Sequence, residues 1–117
     1  MSTSLYRYKC HVADVYDGDT VTLAVNCGFG IVLPKEKICL YGIDAKEMRG
    51  EQKIDGKIAR DALREKILHK DIILESIKDK KGKYGRWLGK IFLQDGDELL
   101  DINKWMIENE YAQEKYY

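Results

Sequence analysis

The stretch Val12-Ala13-Asp14-Val15-Tyr16-Asp17-Gly18-Asp19-Thr20-Val21-Thr22-Leu23 decides the fold of this 117-residue chain. Asp17-Gly18-Asp19 is a tight-turn signal between two runs of alternating apolar residues, the mark of a β-hairpin. On its near side Tyr6, Tyr8, Cys10 and Val12 alternate with Arg7, Lys9 and His11, as in a half-buried strand. The apolar parity then moves to Ala13 and Val15, which predicts a bulge. On the far side Val21, Leu23 and Val25 alternate with Thr20, Thr22 and Ala24. Strands joined this tightly leave no room for the helix that follows the first strand of a ferredoxin-like sandwich.

Downstream, Cys27-Gly28-Phe29-Gly30 and Pro34 predict a loose connection. Ile38 and Leu40 then mark a third strand, over Lys37–Tyr41 and ending near Ile43. Residues 45–55 are polar and read as a loop. From about Gly56 the period becomes helical, with Ala59, Ala62, Leu63 and Ile67 on one face and Arg60, Asp61, Arg64 and Glu65 on the other. Asp71–Ile77 reads as a fourth strand, Lys78–Gly85 as a basic loop and Trp87–Leu93 as a fifth strand closed by Asp95-Gly96-Asp97. Asp101 is placed to cap a short helix carrying Ile102, Trp105 and Met106. Three strands, a helix, two strands and a helix make a mainly β, α+β chain. Its five short antiparallel strands close most easily as an OB-type barrel. Nothing divides the chain, and a single domain over residues 1–117 is expected.

Composition narrows the classes. Hydrophobic residues make up 44%, enough for one core. No run approaches the roughly 20 apolar residues of a membrane helix, so no membrane partner is expected. Met1 to Cys10 lacks the apolar region of a secretory leader. Cys10, Cys27 and Cys39 are odd in number and unclustered, which points to buried thiols rather than a disulfide framework or zinc. Both features favour a cytoplasmic setting. Formal net charge is zero, a mild argument against nucleic-acid binding. The charge is nevertheless polarised. Lys78, Lys80, Lys81, Lys83, Arg86 and Lys90 face only Asp79 in the basic loop, whereas acids dominate from Gln94 onward.

Three motifs recur in a telling order. They are Asp17-Gly18-Asp19-Thr20, Tyr41-Gly42-Ile43-Asp44-Ala45-Lys46-Glu47-Met48-Arg49-Gly50, and Gly82-Lys83-Tyr84-Gly85-Arg86-Trp87-Leu88-Gly89. Singly, each is an ordinary turn or loop. Together, on this succession of elements, they resemble the staphylococcal-nuclease family from about Lys9 to Ala112. Hard oxygen ligands suit calcium, and Asp19 and Asp44 offer two carboxylates from strand ends. The resemblance implies that the Ala45 carbonyl adds a third oxygen. It also implies that Glu47 orients or deprotonates the attacking water and that Arg86 binds the phosphate with its planar fork. Lys83, Tyr84 and Tyr116 correspond to residues that cover the nucleotide. The implied activity is calcium-dependent cleavage of DNA or RNA phosphodiester bonds, by a monomer or weak homodimer.

The chain departs from that family's pattern at Cys39, where a second catalytic arginine is expected. A thiol carries no positive charge and donates weakly. Losing one preorganised donor costs roughly 100- to 1000-fold in rate. Lys37, two residues away on the same strand face, and Arg49 are candidate substitutes. The alternative reading is a catalytically inactive nucleic-acid- or protein-binding module on the same fold. A barrel with no phosphate site would make the ordered motifs coincidence. Lys46 replaces a proline, which loosens its loop. No third C-terminal helix is expected. Glu110 replaces a helix-ending glycine, leaving Asn109 as the local candidate for a left-handed cap.

Overall fold

The structure, a computed structural model, describes residues 6–45, 53–81 and 87–115. The elements follow in the order β1 (Arg7–Asp17), β2 (Thr20–Gly28), β3 (Ile31–Leu40), β4 (Ile43–Ala45), α1 (Lys53–Ile67), β5 (Asp71–Lys81), β6 (Trp87–Asp95), β7 (Glu98–Asp101), α2 (Ile102–Glu108) and β8 (Ala112–Glu114). The expected barrel is present. β3, β2, β1, β5 and β6 neighbour one another in that order, and β6 returns to β3. The closing pair is parallel, through Ile38–Trp87, Cys39–Leu88 and Leu40–Gly89, so the barrel is mixed rather than all antiparallel.

The hairpin behaves as its sequence predicts. β1 and β2 pair antiparallel, with register shifts between Val12 and Asp14 and between Val15 and Asp17. The first shift makes Ala13 the extra residue of a bulge. It is exposed, whereas Val12 and Val15 are both buried. Ala13 therefore does not face inward as its parity suggested, because a bulged residue leaves the alternation it interrupts. Val21, Leu23 and Val25 line the interior from β2, as do Ile38 and Leu40 from β3 and Ile91 from β6.

Several boundaries moved. β3 begins at Ile31, not near Lys37, because Gly28, Phe29 and Gly30 all take left-handed φ (82°, 56° and 75°) and turn the chain tightly. β3 stops at Leu40, and Gly42 (φ 80°) starts β4 in a new direction. α1 starts at Lys53 rather than Gly56. β5 runs on through Lys81, so residues 78–81 of the expected basic loop belong to a strand. Polar residues past the rim of a barrel show no apolar alternation, which is why the extension was invisible. The short strands β4, β7 and β8 were not anticipated because three or four residues are too few to show an alternation.

The helices seal the barrel. α1 buries Ala59, Leu63 and Ile67, and Arg64 Nε donates to the Val15 carbonyl at 3.1 Å. α2 starts at Asp101, whose carboxylate accepts from the Lys104 N–H at 3.1 Å, as expected. At its other end Glu110, not Asn109, takes the left-handed conformation (φ 62°). Tyr111 N–H reaches the Met106 carbonyl and Glu110 N–H the Ile107 carbonyl, the two bonds of a Schellman motif. Tyr111 then meets Trp105 in a tilted ring contact, centroids 5.7 Å apart. No described helix is long and apolar enough to cross a membrane.

Candidate phosphodiester site

Asp17-Gly18-Asp19 is a turn whose backbone the side chains stiffen. The Asp19 N–H donates to Asp17 Oδ1 at 3.1 Å. A Cβ on Gly18 would stand 2.7 Å from Ala45 Cβ and 2.9 Å from Ala59 Cβ. Glycine is thus what lets the turn lie against β4 and α1 at once.

Asp19 joins three strands. Its carbonyl accepts from the Leu40 N–H at 2.8 Å, where β3 ends. Its Oδ2 accepts from the Ala45 N–H at 3.1 Å, and its Oδ1 from the Thr20 hydroxyl at 3.2 Å. Asp44 is the next residue back from Ala45 and is exposed. The structure therefore joins Asp19 to Ala45 across a long stretch of sequence, with Asp44 as the neighbouring residue of that strand. The β4 carrier is itself held from behind. β8 pairs with it through Ile43–Glu114, Asp44–Gln113 and Ala45–Ala112, and the Lys115 N–H donates to the Gly42 carbonyl at 2.8 Å.

Burial, then the hydrogen bond and negative charge of Asp17, push the Asp19 carboxyl up to about 7. The Ala45 N–H and Thr20 hydroxyl pull the other way without winning. Two carboxylates in one turn resist sharing ionisation, and a divalent cation would relieve that. All the donors are hard oxygens, the set a calcium ion accepts. Among the described residues no group of three or more His, Cys, Asp or Glu converges on one point. Glu47, Arg86, Lys83, Tyr84 and Tyr116 lie outside the described residues, as do Lys46 and Arg49.

Cys39 stands opposite Thr20 on β2 and opposite Leu88 on β6, one register step from Asp19. It is half-buried, and none of the three cysteines forms a disulfide. The Cys10 thiol, pushed up to about 12 by burial, is a core residue, as its sequence position suggested. Lys37 is exposed and lies two positions before Cys39 on the same strand.

Two contributors were missed in the sequence. Asp17 was read only as a turn residue, although a second acid two positions from Asp19 was the available signal. Asn103 is buried, donating to the Tyr41 carbonyl at 2.8 Å and the Gly89 carbonyl at 3.1 Å and accepting from the Ile91 N–H at 3.2 Å. It ties α2 to β6 and to the turn before β4. A polar residue among Ile102 and Met106 on an apolar helix face was the clue. A groove of about 570 Å³ lies elsewhere, lined by Lys9, His11, Asn26 and Phe92 among others, and contains no predicted site residue.

Comparison with protein families matches residues 37–117 to the model for staphylococcal nuclease homologues. No match was found among curated proteins. The matched stretch carries Asp44, Ala45, Glu47 and Arg86 but begins after Asp19, which enters the site through the bonds just described. With more than half of its length matched and the closed barrel present, the chain belongs to the staphylococcal nuclease homologue family.

Proposed function

We propose that the protein is a calcium-dependent phosphodiesterase acting on DNA or RNA, slowed by the cysteine at position 39. The observation that carries the reading is the Asp19 carboxylate, held by the Ala45 N–H beside Asp44 and crowded by Asp17. Family membership suggests a nuclease-type or nucleic-acid-binding role, and the carboxylates favour the first.

In this reading Asp19 and Asp44 hold the ion, with the Ala45 carbonyl as a third donor. A calcium ion, when bound, supplies Lewis-acid polarisation of a phosphoryl oxygen. Glu47 orients the attacking water and takes its proton. Arg86 grips the phosphate and spreads the charge that develops on it. Lys83, Tyr84 and Tyr116 cover the nucleotide. Cys39 contributes no charge where a second guanidinium would stand, and the expected cost is roughly 100- to 1000-fold in rate. Lys37, exposed two positions away on the same strand, is the described cation offered to compensate.

The second reading, a binding module without catalysis, draws on that same thiol between Thr20 and Leu88. One assay separates the two. Single-stranded DNA and RNA are incubated with the protein, in calcium and in chelator, beside Asp19→Ala and Cys39→Arg. Cleavage that requires calcium and Asp19, and that rises in Cys39→Arg, supports the enzyme. Calcium-stimulated binding without cleavage in either the parent or Cys39→Arg supports the module. Neither binding nor cleavage sinks both.

A further inference from the structure

The far end of β3 poses a separate question. Phe29 is completely exposed (102%), and Ile31, Val32 and Leu33 are 55%, 54% and 41% exposed. No residue from Asn26 to Pro34 is charged, in a chain that is 34% charged. Phe29 also holds a left-handed φ of 56°, where a bulky side chain is disfavoured, between two glycines that would make the turn without it. Neither the turn nor the core explains that phenyl ring.

The backbone there is equally open. β3 pairs with β2 along its length, but β6 joins it only at Ile38, Cys39 and Leu40. Among the described residues, the outer edge from Ile31 to Lys37 has no strand partner. Exposed edges are normally blunted by charge or proline. Here Pro34 and Lys35 blunt only the later part, leaving Ile31, Val32 and Leu33 as an apolar edge with unpaired peptide groups.

We propose that this edge is a homodimer interface, in which Ile31–Leu33 of two copies pair antiparallel about a two-fold axis. An uncharged stretch offers nothing to a phosphate backbone, whose recognition rests on cations. It is self-complementary, because an antiparallel strand edge presents the same groups to its own copy. Zero net charge removes the long-range repulsion that keeps copies of a protein apart. The exposed apolar side chains offer on the order of 400 Å² per copy. That places the pair at the weak end of specific interfaces, with a dissociation constant on the order of 10–100 µM. Pro34 limits the ladder to one short segment by withholding an N–H. The phosphodiester site lies about 23 Å away along β3, so dimerisation and catalysis stand or fall separately.

Sedimentation equilibrium tests the inference on the parent, Val32→Lys, Phe29→Asp and Phe29→Leu, from about 5 to about 500 µM. The parent mass is expected to rise from 13.6 kDa towards twice that value. Val32→Lys and Phe29→Asp are expected to weaken association at least about tenfold, with unchanged circular dichroism and thermal midpoint. Phe29→Leu is expected to keep it. A parent that stays monomeric throughout overturns the proposal. So does a dimer indifferent to Val32→Lys and Phe29→Asp, or a mass increase that appears only when single-stranded DNA is added.

Discussion

The two ends of β3 share a strand and little else. At the Leu40 end the strand is flanked on both sides, by β2 and by β6, and its last N–H is taken by the Asp19 carbonyl. Ile38 and Leu40 are buried there. At the Ile31 end β2 is the only described neighbour, and the side chains are exposed. The proposed phosphodiester site sits at the closed end. A carboxylate pair that must stay in place while its charge changes needs backbone that cannot move with it. The open end is free of that duty and carries apolar surface instead. Closure of the barrel at Ile38–Leu40, and its absence among the described residues at Ile31–Leu33, is what separates the proposed site from the proposed interface.

The contrast can be broken from the closed end. Asn103→Leu removes the acceptor of the Ile91 N–H and one donor each from the Tyr41 and Gly89 carbonyls, all near the β3–β6 seam; the Gly89 carbonyl keeps the Tyr41 N–H at 2.8 Å. An unpaired buried N–H costs about 1–3 kcal/mol and each lost carbonyl bond about 1 kcal/mol, so urea unfolding should show a loss of roughly 3 kcal/mol. The turn before β4 loosens with it, and calcium affinity should fall in parallel.

A pH series sharpens the electrostatic side. The folded Asp19 carboxyl titrates at about 7, above its unfolded value of about 3.9. The folded state therefore holds a proton that the unfolded state has released between those values. The contribution is full below about pH 4 and is lost as pH rises to about 7. Asp19→Asn, which cannot ionise, should gain on the order of 2 kcal/mol over the parent at pH 8 without calcium, and almost nothing at pH 4. Thermal melts of the two proteins side by side give the difference directly. An equal gain at both values would mean that burial and Asp17 do not raise this carboxyl.

Gly89→Ala should cost less, about 1–2 kcal/mol. A Cβ there meets Leu74 Cδ1 at 2.6 Å, which can move, but also the Glu75 carbonyl at 3.2 Å and Ile38 Cγ2 at 3.3 Å. Chemical denaturation of this variant reads how tightly the closing pair is packed. At the open end, Val32→Lys should change monomer stability by less than about 0.5 kcal/mol, since more than half of the residue is exposed in the single chain. A larger loss would mean that the Ile31 end is packed after all.

The hairpin and the first helix were legible because their signals are local. Asp17-Gly18-Asp19 needs only its own backbone to turn, and Ala59, Leu63 and Ile67 share a face by helical geometry alone. The bulge was legible from the shift in parity, though which side Ala13 took was not. β4, β7, β8 and the end of β5 were not legible, because strands this short or this polar are defined by their partners rather than by their own pattern. The left-handed Glu110 was missed for a similar reason. Local preference favours asparagine, whereas the Schellman bonds place the left-handed residue at Glu110.

The site divides along the same line. Three ordered motifs carried a family resemblance, and that resemblance nominated Asp19, Asp44, Glu47 and Arg86 and marked Cys39 as the place where the family's second arginine is expected. Sequence alone also determined the succession of the five barrel strands along the chain, since alternation and turns are properties of neighbouring residues. Only the tertiary structure decided that Asp19 Oδ2 meets the Ala45 N–H, that β8 backs Asp44, and that β6 closes on Leu40 while leaving Ile31 open. Those are contacts between distant segments. Their free energy depends on how the whole chain buries its surface, which no local pattern encodes.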